Sequence, residues 1–156
     1  MIELNPIRIP GSQKTELRMQ FGALCYRIRN GKVQVLLVTG RRSGKWICPK
    51  GWPVNKATPA ESALREAYEE AGVDGRVSGD CLGIFAHYPV ARRSKLPTIV
   101  ALFPVEVRKL GDDFPEKGQR KRKWFSRKQA AKRVLSPELA QMVLHFDPGH
   151  RPAKSQ

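Results

Sequence analysis

The chain has 156 residues, 40% of them hydrophobic and 28% charged, which suits one globular domain with a sizeable core rather than a disordered segment. Lys and Arg total 29 against 14 Asp and Glu, for a formal net charge of +15; such a field attracts nucleic acid, nucleotides, inositol polyphosphates or polyphosphate, a generally basic surface being the plainer alternative. No stretch approaches the roughly 18 apolar residues of a membrane span, and Cys25, Cys48 and Cys81 lack CxxC spacing, so a membrane partner is not expected and a reducing cytosol is.

Residues 1–16 are punctuated by Pro and Gly, have no apolar core or cleavage-site pattern, and are expected to be loosely ordered, without a secretory signal. "MQFGALCYRI" and "KVQVLLVTG" read as two strands of a hairpin turning at Asn30-Gly31. "RRSGK" is a polar loop, "WICP" a short strand and "KGWPVNKATP" an irregular loop. A helix then starts with Thr58 as cap, Pro59 at the first position and Glu61 completing a capping box, and it stops at Gly72. "VSGDCLGIFAHYPV" and "TIVALFPVEV" form a second strand pair, and "KWFS" leads as a strand into "RKQAAKRVL". "SPELAQMVLHF" is a final helix capped by Ser136, and residues 148–156 read as a frayed tail. One domain over 17–147, of α+β class with helices on both faces of a mixed sheet, is the expected architecture. The three cysteines are read as small core residues, and Trp46 and Trp124 as core strand residues.

The first helix, "ESALREAYEEAG", gathers three acids in a strongly basic chain. At 100° per residue, Glu66, Glu69 and Glu70 project to one side, while Ala60, Ala63, Leu64, Ala67 and Ala71 make a small-residue face that lies close on a sheet, with Tyr68 expected to be packed. Arg65 stands four residues from both Glu61 and Glu69 and can pair with either. The acidic stripe is either a solvated face or half of an oxygen cage for a hard cation such as Mg²⁺, completed by substrate phosphates.

The flanking spacing bears on that choice. Gly51, Arg65, Glu66, Ala67, Glu69, Glu70, Gly72 and Val73, in the pattern G-x5-A-x7-REAYEEAGV, resemble the Nudix hydrolase signature. The resemblance implies an α/β/α sandwich and cleavage of a diphosphate linkage. It implies that Glu66 and Glu70 hold Mg²⁺ or Mn²⁺ with a backbone carbonyl from Lys50 or Gly51, that Glu69 is a ligand or the general base, and that Arg65 fixes a glutamate. Ala57 departs from the pattern, standing where the signature has its first Glu. Glu61 points almost opposite Glu70 and cannot replace it. A dispensable first glutamate, weaker metal affinity, and a catalytically dead polyanion-binding module are the three readings of that departure. Beyond the signature, "KWICPKGWP", "VDGRVSGDCLGIF" and "KRKWFSRKQAAKRV" are similar in layout to the branch that hydrolyses diphosphoinositol polyphosphates and diadenosine polyphosphates, over roughly residues 20–135.

Basic residues flank the box. Arg41, Arg42 and Lys45 follow the second strand, Lys50 precedes Gly51, Arg92, Arg93 and Lys95 occupy a later loop, and Arg120 and Arg122 lie in "RKRK". The planar guanidinium fork grips two phosphate oxygens at once, so Arg41, Arg42, Lys50, Arg92, Arg93, Arg120 and Arg122 are candidates for substrate phosphate. Trp46, Trp52 and Trp124 beside lysines raise single-stranded nucleic acid as a partner, and an RNA 5′-pyrophosphohydrolase reconciles both ideas. His87, His145 and His150 have no paired spacing, which argues against zinc, and no Walker-type GxxxxGK[ST] is present.

Overall fold

The computed structural model describes residues 18–88 and 97–149. The expected loose segment over 1–16 and most of the expected tail lie outside these residues, as do Arg92, Arg93 and Lys95. In chain order the elements are β1 (Met19–Arg29), β2 (Lys32–Thr39), β3 (Trp46–Ile47), β4 (Lys50–Gly51), α1 (Pro59–Ala71), β5 (Val73–Val77), β6 (Gly83–His87), β7 (Thr98–Leu110), β8 (Arg122–Ser126), α2 (Arg127–Arg133) and α3 (Pro137–His145).

The long apolar runs of the central strands follow from burial on both faces. β1 and β2 form the expected hairpin, with Cys25 opposite Leu36 and Arg29 opposite Lys32. Asn30 and Gly31 turn it with φ of 53° and 73°, the mirror-image turn whose twist matches the strands. β1 runs parallel to β7, and every other pairing among the described residues is antiparallel. The sheet path is β3-β2-β1-β7-β5, with β4 on β1, β6 on β7 and β8 on β2. Alternation along each strand divides the core: Ala23, Cys25, Leu36, Val38, Ala101 and Val105 pack with Ala63, Ala67 and Ala71 of α1. Leu24, Tyr26, Val35, Leu37, Val100 and Leu102 pack with Ala130 of α2 and with Leu139 and Val143 of α3. This is the expected sandwich of helices on both faces.

The ends of α1 obey the sequence signals. Thr58 accepts from the Glu61 N–H at 3.1 Å, Pro59 begins the helix, and Gly72 ends it at φ 68°, its N–H directed to Ala67 and Tyr68 carbonyls. The alanine stripe is what lets α1 lie so close to β1. Two elements were not legible in the sequence. β4 lies inside the expected irregular loop and is a two-residue pairing with Phe21 and Gly22 of β1. β5 is a five-residue strand with only Val73 and Val77 apolar beside its glycine, and its pairing with β7 shifts register between Asp74 and Gly75. Two packing expectations are corrected: Tyr68 is 48% exposed on the outer side of α1, 80° of arc away from Ala60 on the wheel, and Cys81 is exposed rather than in the core. Trp46 and Trp124 are half-buried strand residues, Trp46 edge-on to Phe125 and Trp124 under the Arg27 guanidinium at 4.1 Å.

Candidate active site

The site is built where β4 crosses the acidic face of α1. The pairing of Lys50 with Gly22, and an Ala23 N–H bond to the Pro49 carbonyl at 2.9 Å, fix β4 against β1. Glu66 then lies against Gly51 so closely that a Cβ there would overlap its carboxylate. Glu70, 5% exposed, accepts from the Lys50 backbone N–H at 3.4 Å. Glu69 is further out and is held by Arg65 at 3.0 Å, so Arg65 pairs with Glu69 and not with Glu61.

A fourth acid joins them that the sequence reading missed. Glu116 sits on the loop between β7 and β8, and its N–H donates to the Glu69 carbonyl at 3.0 Å, tying that loop to α1. Arg120 bridges the two elements: its Nη2 reaches Glu70 Oε1 at 3.2 Å and Glu116 Oε1 at 3.3 Å, while Nη1 donates to the Thr39 carbonyl at 3.1 Å. Arg41 approaches the same Glu116 oxygen at 3.5 Å and donates to Gln119 at 3.3 Å. Glu116 stands just before the acid-free run from Lys117 to Pro137; a lone acid at the head of a basic run is the only signal that marked it.

Electrostatics separate the carboxylates. Burial, then repulsion from Glu69 and Glu116, pushes Glu66 up to about 7. Burial also pushes Glu70 well above the usual carboxylate range, opposed first by Arg120. Burial lowers the Lys50 ammonium, opposed by Glu70. Two acids whose ionisation burial disfavours, an all-oxygen donor set, and a glycine-only approach at residue 51 together fit a hard divalent cation. The residues that would hold it are Glu66 and Glu70, with a backbone carbonyl of Lys50 or Gly51, and Glu69 would be a further ligand or the general base. Among the described residues no three acidic, His or Cys side chains are already drawn together as a metal-binding group.

Of the basic candidates, Arg41, Lys50 and Arg120 reach the site, and Arg42 is exposed on the turn beside Arg41. Arg122 serves elsewhere: it donates to the carbonyls of Ala71 at 2.7 Å and Gly111 at 2.9 Å and lies over the Phe114 ring, capping the C-terminal end of α1 with positive charge. Next to Lys50 opens a cavity of about 380 Å³ walled by Trp46, Phe85, His87, Tyr88 and Leu135. Burial and the nearby Lys50 push His87 down to about 4, so its imidazole is neutral. Trp52 is half-exposed beside Arg18.

Residues 18–146 match the NUDIX domain family. The chain belongs to the Nudix hydrolase family. It is 30% identical over 132 residues to human diphosphoinositol polyphosphate phosphohydrolase 2, covering 85% of this chain and 71% of that one. It is 34% identical over 121 residues to Nudix hydrolase 21, chloroplastic, of Arabidopsis thaliana, where it spans 72% of this chain and only 58% of the relative's length. The fold is shared with a C. elegans Ap4A hydrolase, at TM-score 0.62 and 22% identity over 81% of this chain and 93% of that one. An E. coli dihydroneopterin triphosphate pyrophosphohydrolase gives TM-score 0.64 and 17% identity over 82% and 93%. Nudix hydrolases as a family use divalent metal ions, and the Nudix assignment makes this chain a hydrolase by family. No helix among the described residues is long and apolar enough to cross a membrane.

Proposed function

We propose that this Nudix hydrolase is a Mg²⁺- or Mn²⁺-dependent pyrophosphohydrolase that cleaves a diphosphate linkage in a multiply phosphorylated small molecule. A diphosphoinositol polyphosphate or a diadenosine polyphosphate is the substrate. The observation that carries the reading is the meeting of Glu66, Glu70 and Glu116 with Lys50, Arg41 and Arg120 on one side of α1. Bound there, the cation supplies Lewis acidity at phosphorus and lowers the pKa of a water. Glu69, one oxygen held by Arg65, takes the proton from the attacking water. The P–O bond of the anhydride breaks, and the leaving phosphate departs with its electron pair. Arg41 and Lys50 hold the substrate's remaining phosphates and stabilise the charge that gathers on the leaving oxygen.

Ala57 does not undercut this. It lines a groove with Leu64, Arg65 and Tyr68 that neither Glu66 nor Glu70 lines, which supports a dispensable first glutamate. The absence of CxxC spacing and of pairing among the three thiols supports a reducing cytosol as its compartment. The test is a panel of diphosphates: diadenosine polyphosphates, inositol pyrophosphates, nucleotide sugars and triphosphorylated RNA. Turnover should require the cation and fall by about 100-fold in Glu70→Gln. If wild type and variant are equally inert, and polyanions still bind in EDTA, the chain is a binding module and the proposal fails.

A further inference from the structure

We propose that Arg120 and the divalent cation are alternative occupants of the Glu70 carboxylate. The guanidinium holds Glu70 and Glu116 in the metal-free protein and swings off Glu70 when the cation binds. This rests on the metal-dependent reading above.

Three observations carry it. A single nitrogen, Arg120 Nη2, lies 3.2 Å from Glu70 Oε1 and 3.3 Å from Glu116 Oε1, with the three side chains only 9%, 5% and 18% exposed. Two carboxylates this close, poorly solvated, repel strongly unless a positive charge stands between them, and the guanidinium is where that charge stands. A divalent cation held by Glu70 would meet the same demand for positive charge, and it would repel the guanidinium beside it, so its binding opposes Arg120 on that carboxylate.

The guanidinium is, second, incompletely satisfied. Nη1 has the Thr39 carbonyl at 3.1 Å, but the buried Nε has no hydrogen-bond partner among the described residues. An arginine fixed for structure alone finds acceptors for its buried N–H groups, because each orphan carries a desolvation cost. Arg122, two residues on, shows the contrast with two short bonds to carbonyls. Third, the backbone beneath Arg120 is pinned: Thr39 N–H donates to the Lys121 carbonyl at 3.0 Å, and Lys121 N–H donates to Thr39 Oγ1 at 2.9 Å. Only the side chain has to move, so exchange leaves β8 and the sheet intact. Arg41, already 3.5 Å from Glu116 and 59% exposed, stays to neutralise that acid after Arg120 leaves. The released fork then faces the same site as the substrate phosphates, which links loading of the cation to phosphate binding.

Competition of this kind is a coupling free energy, and such couplings run to about 5–150-fold in affinity. Mg²⁺ binding to the full chain is measured by calorimetry at a pH that ionises both glutamates. Arg120→Gln should bind Mg²⁺ about tenfold more tightly than wild type, and Arg120→Lys, which retains a competing charge, should stay near wild type. Equal or weaker Mg²⁺ binding in a folded Arg120→Gln overturns the proposal. Should that variant fail to fold, wild type decides: Mg²⁺ should move the Arg120 side-chain ¹⁵N resonances, and a Mn²⁺-loaded crystal structure should show Nη2 away from Glu70. A loaded structure with Arg120 still on both carboxylates sinks the exchange while leaving the hydrolase reading in place. Wild type that binds no divalent cation overturns both.

Discussion

In EDTA the protein should lose stability as pH rises from the acid range to neutrality, and Mg²⁺ should restore it. The cause is Glu66, which burial and the neighbouring Glu69 and Glu116 push up from 4.5 to about 7. The sign follows from proton linkage. Between pH 4.5 and about 7 the unfolded chain has lost this proton and the native chain keeps it, so the native state binds more protons and unfolding becomes easier as pH rises. Below that window the two states are equally protonated and there is no slope; above it the full penalty is present. A rise from 4.5 to about 7, at about 1.4 kcal/mol per pH unit, amounts to a loss of at most about 3 kcal/mol, reduced toward about 2 because solvent screens the half-buried carboxyl. Glu70 adds in the same direction, since burial raises it too. The assay is urea denaturation in EDTA at stepped pH for wild type and Glu66→Gln, which has no proton to lose. Wild type should fall by about 2–3 kcal/mol relative to the variant across the window. At neutral pH, Mg²⁺ at about 100 times its Kd should return about 2.7 kcal/mol by binding only the native state. Parallel curves for the two proteins would refute the reasoning, because they would mean that Glu66 is solvated like any surface glutamate.

Three further substitutions probe the frame of the site. Gly51→Ala places a Cβ inside the Glu66 carboxylate; turnover should drop at least about tenfold and stability by about 1–3 kcal/mol, read by kinetics and denaturation on the same samples. Gly72→Ala must hold φ 68° and meets the Phe114 ring and the Arg122 guanidinium, so the thermal midpoint should fall by about 3–8 °C. Arg122→Met removes two hydrogen bonds to carbonyls and should cost about 2 kcal/mol with KM within about twofold of wild type; a KM that rises at unchanged stability would return Arg122 to the phosphate-binding set.

How much of this was legible depends on whether the information was local. The hairpin at Asn30-Gly31, both ends of α1 and the start of α3 were written in single turns of chain, where one residue's φ or one hydroxyl decides the outcome. The two-sided burial of β1, β2 and β7 was legible as unbroken apolar runs. β5 was not, because it is five residues with Asp, Gly and Arg between its two valines and its bulged register is imposed by β7. Tyr68 misled for a related reason: an aromatic flanked by an alanine stripe suggests packing, but the sheet beneath α1 is covered by Ala63, Ala67 and Ala71, and no surface remains for a ring.

The site divides along the same line. Glu66, Glu69 and Glu70 share a helix face, so periodicity alone aligned them. What that pattern leaves open is whether the stripe meets water or a cavity, and non-local pairing settles it. β4 carries Lys50 and Gly51 under the stripe only because Gly51 pairs with Phe21, some thirty residues earlier. Glu116 reaches α1 only because the loop before β8 docks on the Glu69 carbonyl. The basic candidates divide once more. By sequence, Arg120 and Arg122 were one run of cations with one role. Arg120 lies just before β8 and Arg122 is its first residue, and one guanidinium lands between two carboxylates while the other lands on the carboxyl end of α1. Counting cations near a motif therefore does not tell which of them reach the carboxylates. The acceptors each guanidinium meets, two carboxylates for Arg120 and two backbone carbonyls for Arg122, are what separate a site residue from a helix cap.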